Sequence, residues 1–157
     1  MDKNQAVIDF LLTCPSIANN SVFFNAIQAK DNTKEILTIP NDKSVHKPYI
    51  DGSVDKRYTF TIIDFRSISY NPLVTVQGYT NENVADMLDV QGIIDWIDQQ
   101  NDNRNFPNFG SDCQVEAIRT LTDNPNLNGL DTSLNPVLAK YSISVQIDYL
   151  DKSKVIM

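Results

Sequence analysis

The stretch VHKPYIDGSVDKRYTFTI, Val45 to Ile62, gathers much of what could do chemistry in this chain of 157 residues. It holds the only histidine, His46, an Asp51-Gly52-Ser53 tripeptide and a run of charges leading into alternating aromatic residues. A Ser-His-Asp or Cys-His site would have to use His46 as its base. No G-x-S-x-G elbow supplies a nucleophile, so a solvated loop histidine is the plainer reading. A phosphate cradle needs a glycine-rich turn that opens a helix. Asp51-Gly52-Ser53 leads into a strand instead, and the whole chain has five glycines.

Metal chemistry is as poorly provided for. Asp51 and Asp55 lack a calcium-loop pattern around them, and the oxygens of Asn101–Asn105 lack a closing glutamate. One histidine and two distant cysteines, Cys14 and Cys113, do not make a zinc site or a disulfide scaffold. Glu82, Asp86, Asp89, Asp95 and Asp98 recur along one segment, and Asp86/Asp89 and Asp95/Asp98 share helical faces. A glycosidase needs two opposed carboxylates in a cleft, whereas acids strung along one helix read as a solvated face. No catalytic residue, cofactor site or metal site is expected.

Val45–Ile62 therefore reads as a connector. Asp51-Gly52 suits a tight turn, with the glycine able to supply a positive φ. Tyr49 and Ile50 are apolar beside that turn, so they either tuck into the domain or contact a neighbouring subunit.

The elements around it follow from periodicity. Val7, Ile8, Leu11 and Leu12 fall on one face of a short helix over residues 3–12, stopped at Pro15. VFFNAIQA is either strand or helix. Lys34–Ile39 reads as a strand, paired with it in a strand-turn-strand unit around Asp31-Asn32. Residues 40–55 read as a loop with a brief extended piece at 45–50. Arg57 to Tyr70 reads as a long strand with a bulge near Ile63-Asp64. Residues 82–101 form the main helix, with Val84, Met87, Leu88, Ile94 and Ile97 in one stripe and Thr80, Asn81 or Asn83 as caps. Gly92 inside it would permit close packing on the sheet. A strand from Cys113 puts Val115, Ala117 and Leu121 with Cys113 on one side, and residues 123–137 read as a long loop. From Tyr141 to Tyr149 apolar and polar residues alternate strictly, the mark of an antiparallel strand buried on one face. One domain, 1–157, is expected. It is α+β, an antiparallel (mixed) sheet of four to five strands packed on one face by one long helix and a short N-terminal helix.

The net charge of −7 and pI near 4.5 disfavour a role gripping nucleic acid or anionic membranes. The run Ala6–Leu12 is broken by Asp9 and lacks a basic lead-in, so neither signal peptide nor membrane span is expected. The chain reads as made and kept in a cytoplasm, unless it leaves inside a larger particle.

The order of blocks carries a resemblance. FLLTCPSI, IPNDKSVHKPYIDGSVDKRYTFTI, WIDQQNDNRNFPNF and AKYSISVQIDYLDK together resemble small minor capsid proteins of tailed bacteriophages and prophages of Gram-positive bacteria, similar to tail terminator (tail completion) proteins. The Tyr49–Phe60 and Trp96–Asn101 blocks are the most specific, and none is catalytic. The resemblance implies a structural, non-enzymatic protein and a homo-oligomeric ring, usually of six. That ring would cap the tail-tube protein, present a surface to the head connector or stopper and let DNA pass without specific binding. It implies a place in the virion tail, assembled in the bacterial host cytoplasm. A ring of chains at −7 each would also keep phosphates from sticking to a negative bore.

A ring needs two unlike patches per subunit. The candidates are Tyr49 and Ile50, with Asp51, Gly52 and Arg57 around them, on one side, and Trp96, Phe106 or Phe109 on the other. A head-side connector, a tail-tube subunit, or a small enzyme or ligand-binding domain are the rival readings. A buried carboxylate beside a pocket would favour the last.

Overall fold

The alternating run at the end of the chain forms an inner strand of a curled sheet, beside the central one. In the computed structural model, which describes residues 2–18, 21–25, 33–38, 45–67, 82–121, 126–131 and 138–155, helices α1 (Lys3–Leu11) and α2 (Pro15–Ala18) come first. Strands β1 (Ser21–Phe24), β2 (Thr33–Thr38), β3 (Val45–Pro48) and β4 (Val54–Ser67) follow, then helix α3 (Glu82–Asp102). Strands β5 (Cys113–Thr120), β6 (Asn126–Asp131) and β7 (Leu138–Asp151) complete the described chain. The order across the sheet is β1-β2-β4-β7-β5, with β3 on β4 and β6 on β7.

Strands β4 and β7 pair antiparallel without interruption, from Val54 opposite Asp151 to Ser67 opposite Leu138. The expected bulge near Ile63-Asp64 is absent. β3 pairs with Val54–Lys56 and β2 with Phe60–Phe65, so these two lie end to end along one edge of β4. β5 and β6 lie end to end along the far edge of β7 in the same way. The seven segments thus make five columns, of which β2-β4-β7-β5 is antiparallel throughout. β1 runs parallel to β2, so residues 21–38 are not the expected hairpin. Asp31-Asn32 lie outside the described residues, as do Thr80, Asn81 and the side chains of His46, Asn83 and Val84.

One face of the sheet is the core. Phe60 and Ile62 of β4 and Tyr141, Ile143, Val145, Ile147 and Tyr149 of β7 are buried there. α3 lays Val90, Ile93, Ile94 and Ile97 on them, at i, i+3, i+4 and i+7. α1 adds Ala6, Val7, Phe10 and Leu11, a stripe one residue round from the expected one; Leu12 is exposed. Asp2 caps this helix by accepting from the Asn4 backbone N–H at 2.9 Å. Pro15, which ends α1, starts α2, where its missing N–H costs nothing.

The stripe on α3 also differs from expectation at its first half. Met87 and Leu88 are exposed. The face turned to the sheet there carries Asp86 and Asp89, which meet Arg66 of β4. Asp64 and Arg66 continue the core face of β4 beyond Ile62, both buried, and pair through two contacts of 2.8 and 3.1 Å. Burial alone would lower the guanidinium's affinity for its proton; the hydrogen bonds and charges of Asp64 and Asp89 outweigh this and raise it. Two of the five helix acids are thus anchors rather than a solvated face.

Gly92 does not approach the sheet. A Cβ there would find only Ser16 Oγ, at 3.9 Å, so the glycine faces α2. In β5 the register shifts between Val115 and Ala117. Glu116 is the bulged residue, Val115 and Ile118 share the core face, and Ala117 moves to the other. The expected 123–137 loop contains β6, whose Leu127 and Leu130 are exposed.

Candidate functional site

The turn between β3 and β4 presents two apolar side chains to solvent. Tyr49 is 42% exposed, and Ile50 at 105% is as exposed as a side chain can be. Burying an isoleucine is worth about 1.5–3 kcal/mol, a gain that this chain leaves uncollected at Ile50.

The turn is held by its own polar groups. Tyr49 N–H donates to the Ser53 carbonyl at 2.8 Å, and Gly52 N–H to the Tyr49 carbonyl at 3.1 Å. Asp51 Oδ1 accepts from the Ser53 backbone N–H at 2.9 Å and from its hydroxyl at 2.6 Å. These bonds lower the Asp51 carboxyl's pKa, the hydroxyl's contribution being largest. Gly52 takes φ +94°, the left-handed conformation expected for it. Its bare α-carbon also lets the chain's last described segment cross underneath. A Cβ would stand 2.2 Å from the Lys154 carbonyl oxygen.

Tyr49 folds back over the sheet. Its hydroxyl donates to Asp55 Oδ2 at 2.7 Å, and Lys47 Nζ sits 5.3 Å from its ring centre. The Asp55 bond, with lesser contributions from slight burial and from the charges of Asp55 and Glu116, raises the phenol's pKa. Beneath the turn lies a pocket of about 480 Å³, lined by Tyr49, Ile50, Asp51, Ser53, Glu116 and Leu150. Glu116, the bulged residue of β5, stands on the polar face at this pocket. Sequence alternation gave no sign of the bulge.

The remaining candidates are scattered. Arg57 lies on the polar face of β4, beside Asp148 at 3.5 Å, with Arg119 on the other side of the same carboxylate. Trp96 is half-buried and packs on Phe10 at 5.1 Å between ring centres. Phe106 is half-buried against the core, with the Arg104 guanidinium 5.6 Å above its ring. Phe109 is 4% exposed. It stands edge-on to Tyr149 at 5.2 Å and contacts Tyr58 at 6.0 Å, so it is a core side chain and presents nothing to a partner. Burial raises Tyr58 and Tyr149 to about 12. Tyr49, Ile50, Asp51 and Gly52 are brought together; Arg57, Trp96, Phe106 and Phe109 are not part of that surface.

The chemistry available at this surface is apolar contact and hydrogen bonding. The buried carboxylate, Asp64, is closed off by Arg66, and it lines neither this pocket nor those beside Trp96 and Phe106. Among the described residues no three His, Cys, Asp or Glu side chains cluster to hold a metal, and no helix is long and apolar enough to cross a membrane. Searches of protein-family models and of curated proteins return no match to this sequence.

Proposed function

We propose that this chain is a structural protein of a bacteriophage tail, a terminator whose copies close into a ring on the end of the tail tube. The ring, of six by the resemblance, would stop the tube's growth and offer its other face to the head connector. DNA would pass through its bore, and its place would be the virion tail. The observation that carries this reading is the fully exposed Ile50, set beside Tyr49 on a turn fixed by hydrogen bonds and by Gly52. An ordered apolar tip has already lost its conformational entropy, so a partner gains the burial without that cost. The curled sheet with helices on one face, and the sequence blocks around Tyr49–Phe60 and Trp96–Asn101, support the same reading.

The test is assembly on the tube. Tail-tube protein is polymerised with and without this chain, and tube lengths are measured by electron microscopy. Tubes of bounded length with a ring at one end are expected, and Ile50→Asp should restore unbounded growth. Open-ended polymers built from this chain would make it a tube subunit, because an unlike-patch contact that does not close gives a filament.

A further inference from the structure

The pocket beneath Tyr49 and Ile50 has a counterpart at the other end of strand β5. Glu116 lies at the pocket; five residues on, about 17 Å along an extended chain, Leu121 is 54% exposed. Leu121 N–H donates to the Ser144 carbonyl, which continues the ladder and sets Leu121 on the same polar face as Arg119. Arg119 is exposed two residues away, where it and Arg57 share the one carboxylate of Asp148. One end of the strand thus offers a bulky aliphatic side chain with the exposed Arg119 guanidinium beside it. The other end offers an apolar pocket with Asp51, Asp55 and Glu116 around it. Two lysines stand near those three carboxylates, Lys47 over the Tyr49 ring and Lys152 on Gln114 Oε1 at 2.8 Å.

We infer that a second copy of this chain seats Leu121 in the pocket between Tyr49, Ile50 and Leu150, with its Arg119 against Glu116. Leucine supplies the fit and the opposed charges set the direction. The two patches are too far apart along one strand to meet within a chain. They are unlike, so the contact can run head-to-tail and repeat from copy to copy; a reciprocal pairing of the same two patches would stop at a dimer, and a parent chain that stops at dimers overturns the ring contact. This contact rests on the ring reading and names the two surfaces that would close the ring.

The test uses variants blocked at one end. Ile50→Asp and Leu121→Asp change exposed side chains, so both chains fold; circular dichroism checks this. In sedimentation equilibrium each variant alone should stay monomeric, and an equal mixture should form one-to-one pairs and nothing larger. Glu116→Arg or Arg119→Glu should each weaken association of the parent about tenfold, and the double exchange should recover most of it. Three further results overturn the contact: a parent chain monomeric at about 1 mM, variants that assemble like the parent, or a mixture that fails to pair. If the mixture fails to pair while the parent still bounds tube length, the contact falls and the terminator reading stands. If the mixture pairs while the parent ignores the tube, the contact stands and the terminator reading falls.

Discussion

Gly52 sets the posture of the apolar tip through two independent requirements. Its φ of +94° disfavours any side chain, and the Lys154 carbonyl occupies the place of a Cβ at 2.2 Å. Gly52→Ala must displace either the turn or the segment from Lys152 to Val155. A loss of about 1–3 kcal/mol is expected, read as a lower denaturant midpoint at constant slope. An unchanged midpoint would mean that the crossing is not tight in solution. The same corner holds the clearest acid-sensitive group. Asp151 accepts from Lys56 Nζ at 2.8 Å and from the Ser153 N–H at 2.9 Å, and Lys56 is the main reason its carboxyl lies well below the usual carboxylate range. A carboxyl lowered in the folded state stabilises the fold above its unfolded value, about 3.9. That contribution is lost as pH falls from there toward the folded value. The urea midpoint should therefore decline below about pH 4, and Asp151→Asn should flatten that decline. Tyr58 and Tyr149, raised to about 12 by burial, act with the opposite sign. Their stabilisation is complete below about pH 10 and is lost as pH climbs toward 12.

At the scale of elements, α3 is held differently along its two halves. Its second half is an apolar stripe on the sheet. Its first half is tied by Arg66, a guanidinium bonded to Asp64 and Asp89 with Asp86 at 3.7 Å. Asp64→Ala would leave that cation buried without its two-pronged partner, at a cost of about 3–5 kcal/mol in chemical denaturation. A loss under about 1 kcal/mol would show that Asp89 and Asp86 suffice. Gly92 predicts the opposite sign. Open space toward Ser16 means Gly92→Ala should stabilise by about 0.5–1 kcal/mol, as a helix gains when glycine is replaced. These two sites also mark where sequence reading stops. β7 was legible because one face is buried and the other wet, which prints a period of two. β4 was harder to read because Asp64 and Arg66 stand on its core face, where only acids from a distant helix make them tolerable. The apolar spacing of Met87 and Leu88 misleads for the same reason: Asp86 and Asp89, not these two, meet Arg66 there. The bulge at Glu116 left no mark, since Val115 and Ala117 are both apolar and alternate as well without it.

At the scale of the molecule, the tip was legible and its counterpart was not. Asp51-Gly52 announces a turn by its backbone chemistry, and Tyr49 and Ile50 stand out beside it. Phe109 reads as a candidate anchor because aromatic residues often anchor interfaces; the fold instead sets its ring against Tyr58 and Tyr149. Strand alternation sets Leu121 on the core side, and the bulge moves it out. With Phe109 inside, the exposed apolar groups at the two ends of β5 are the pair we infer to meet from copy to copy. The central claim is that this chain assembles in this way on a tail tube. The most direct measurement is mass in solution, by light scattering behind a sizing column, with and without tail-tube protein. The account predicts one closed species of fixed stoichiometry, formed alone or on the tube and lost with Ile50→Asp. A chain that stays monomeric and ignores the tube would contradict it.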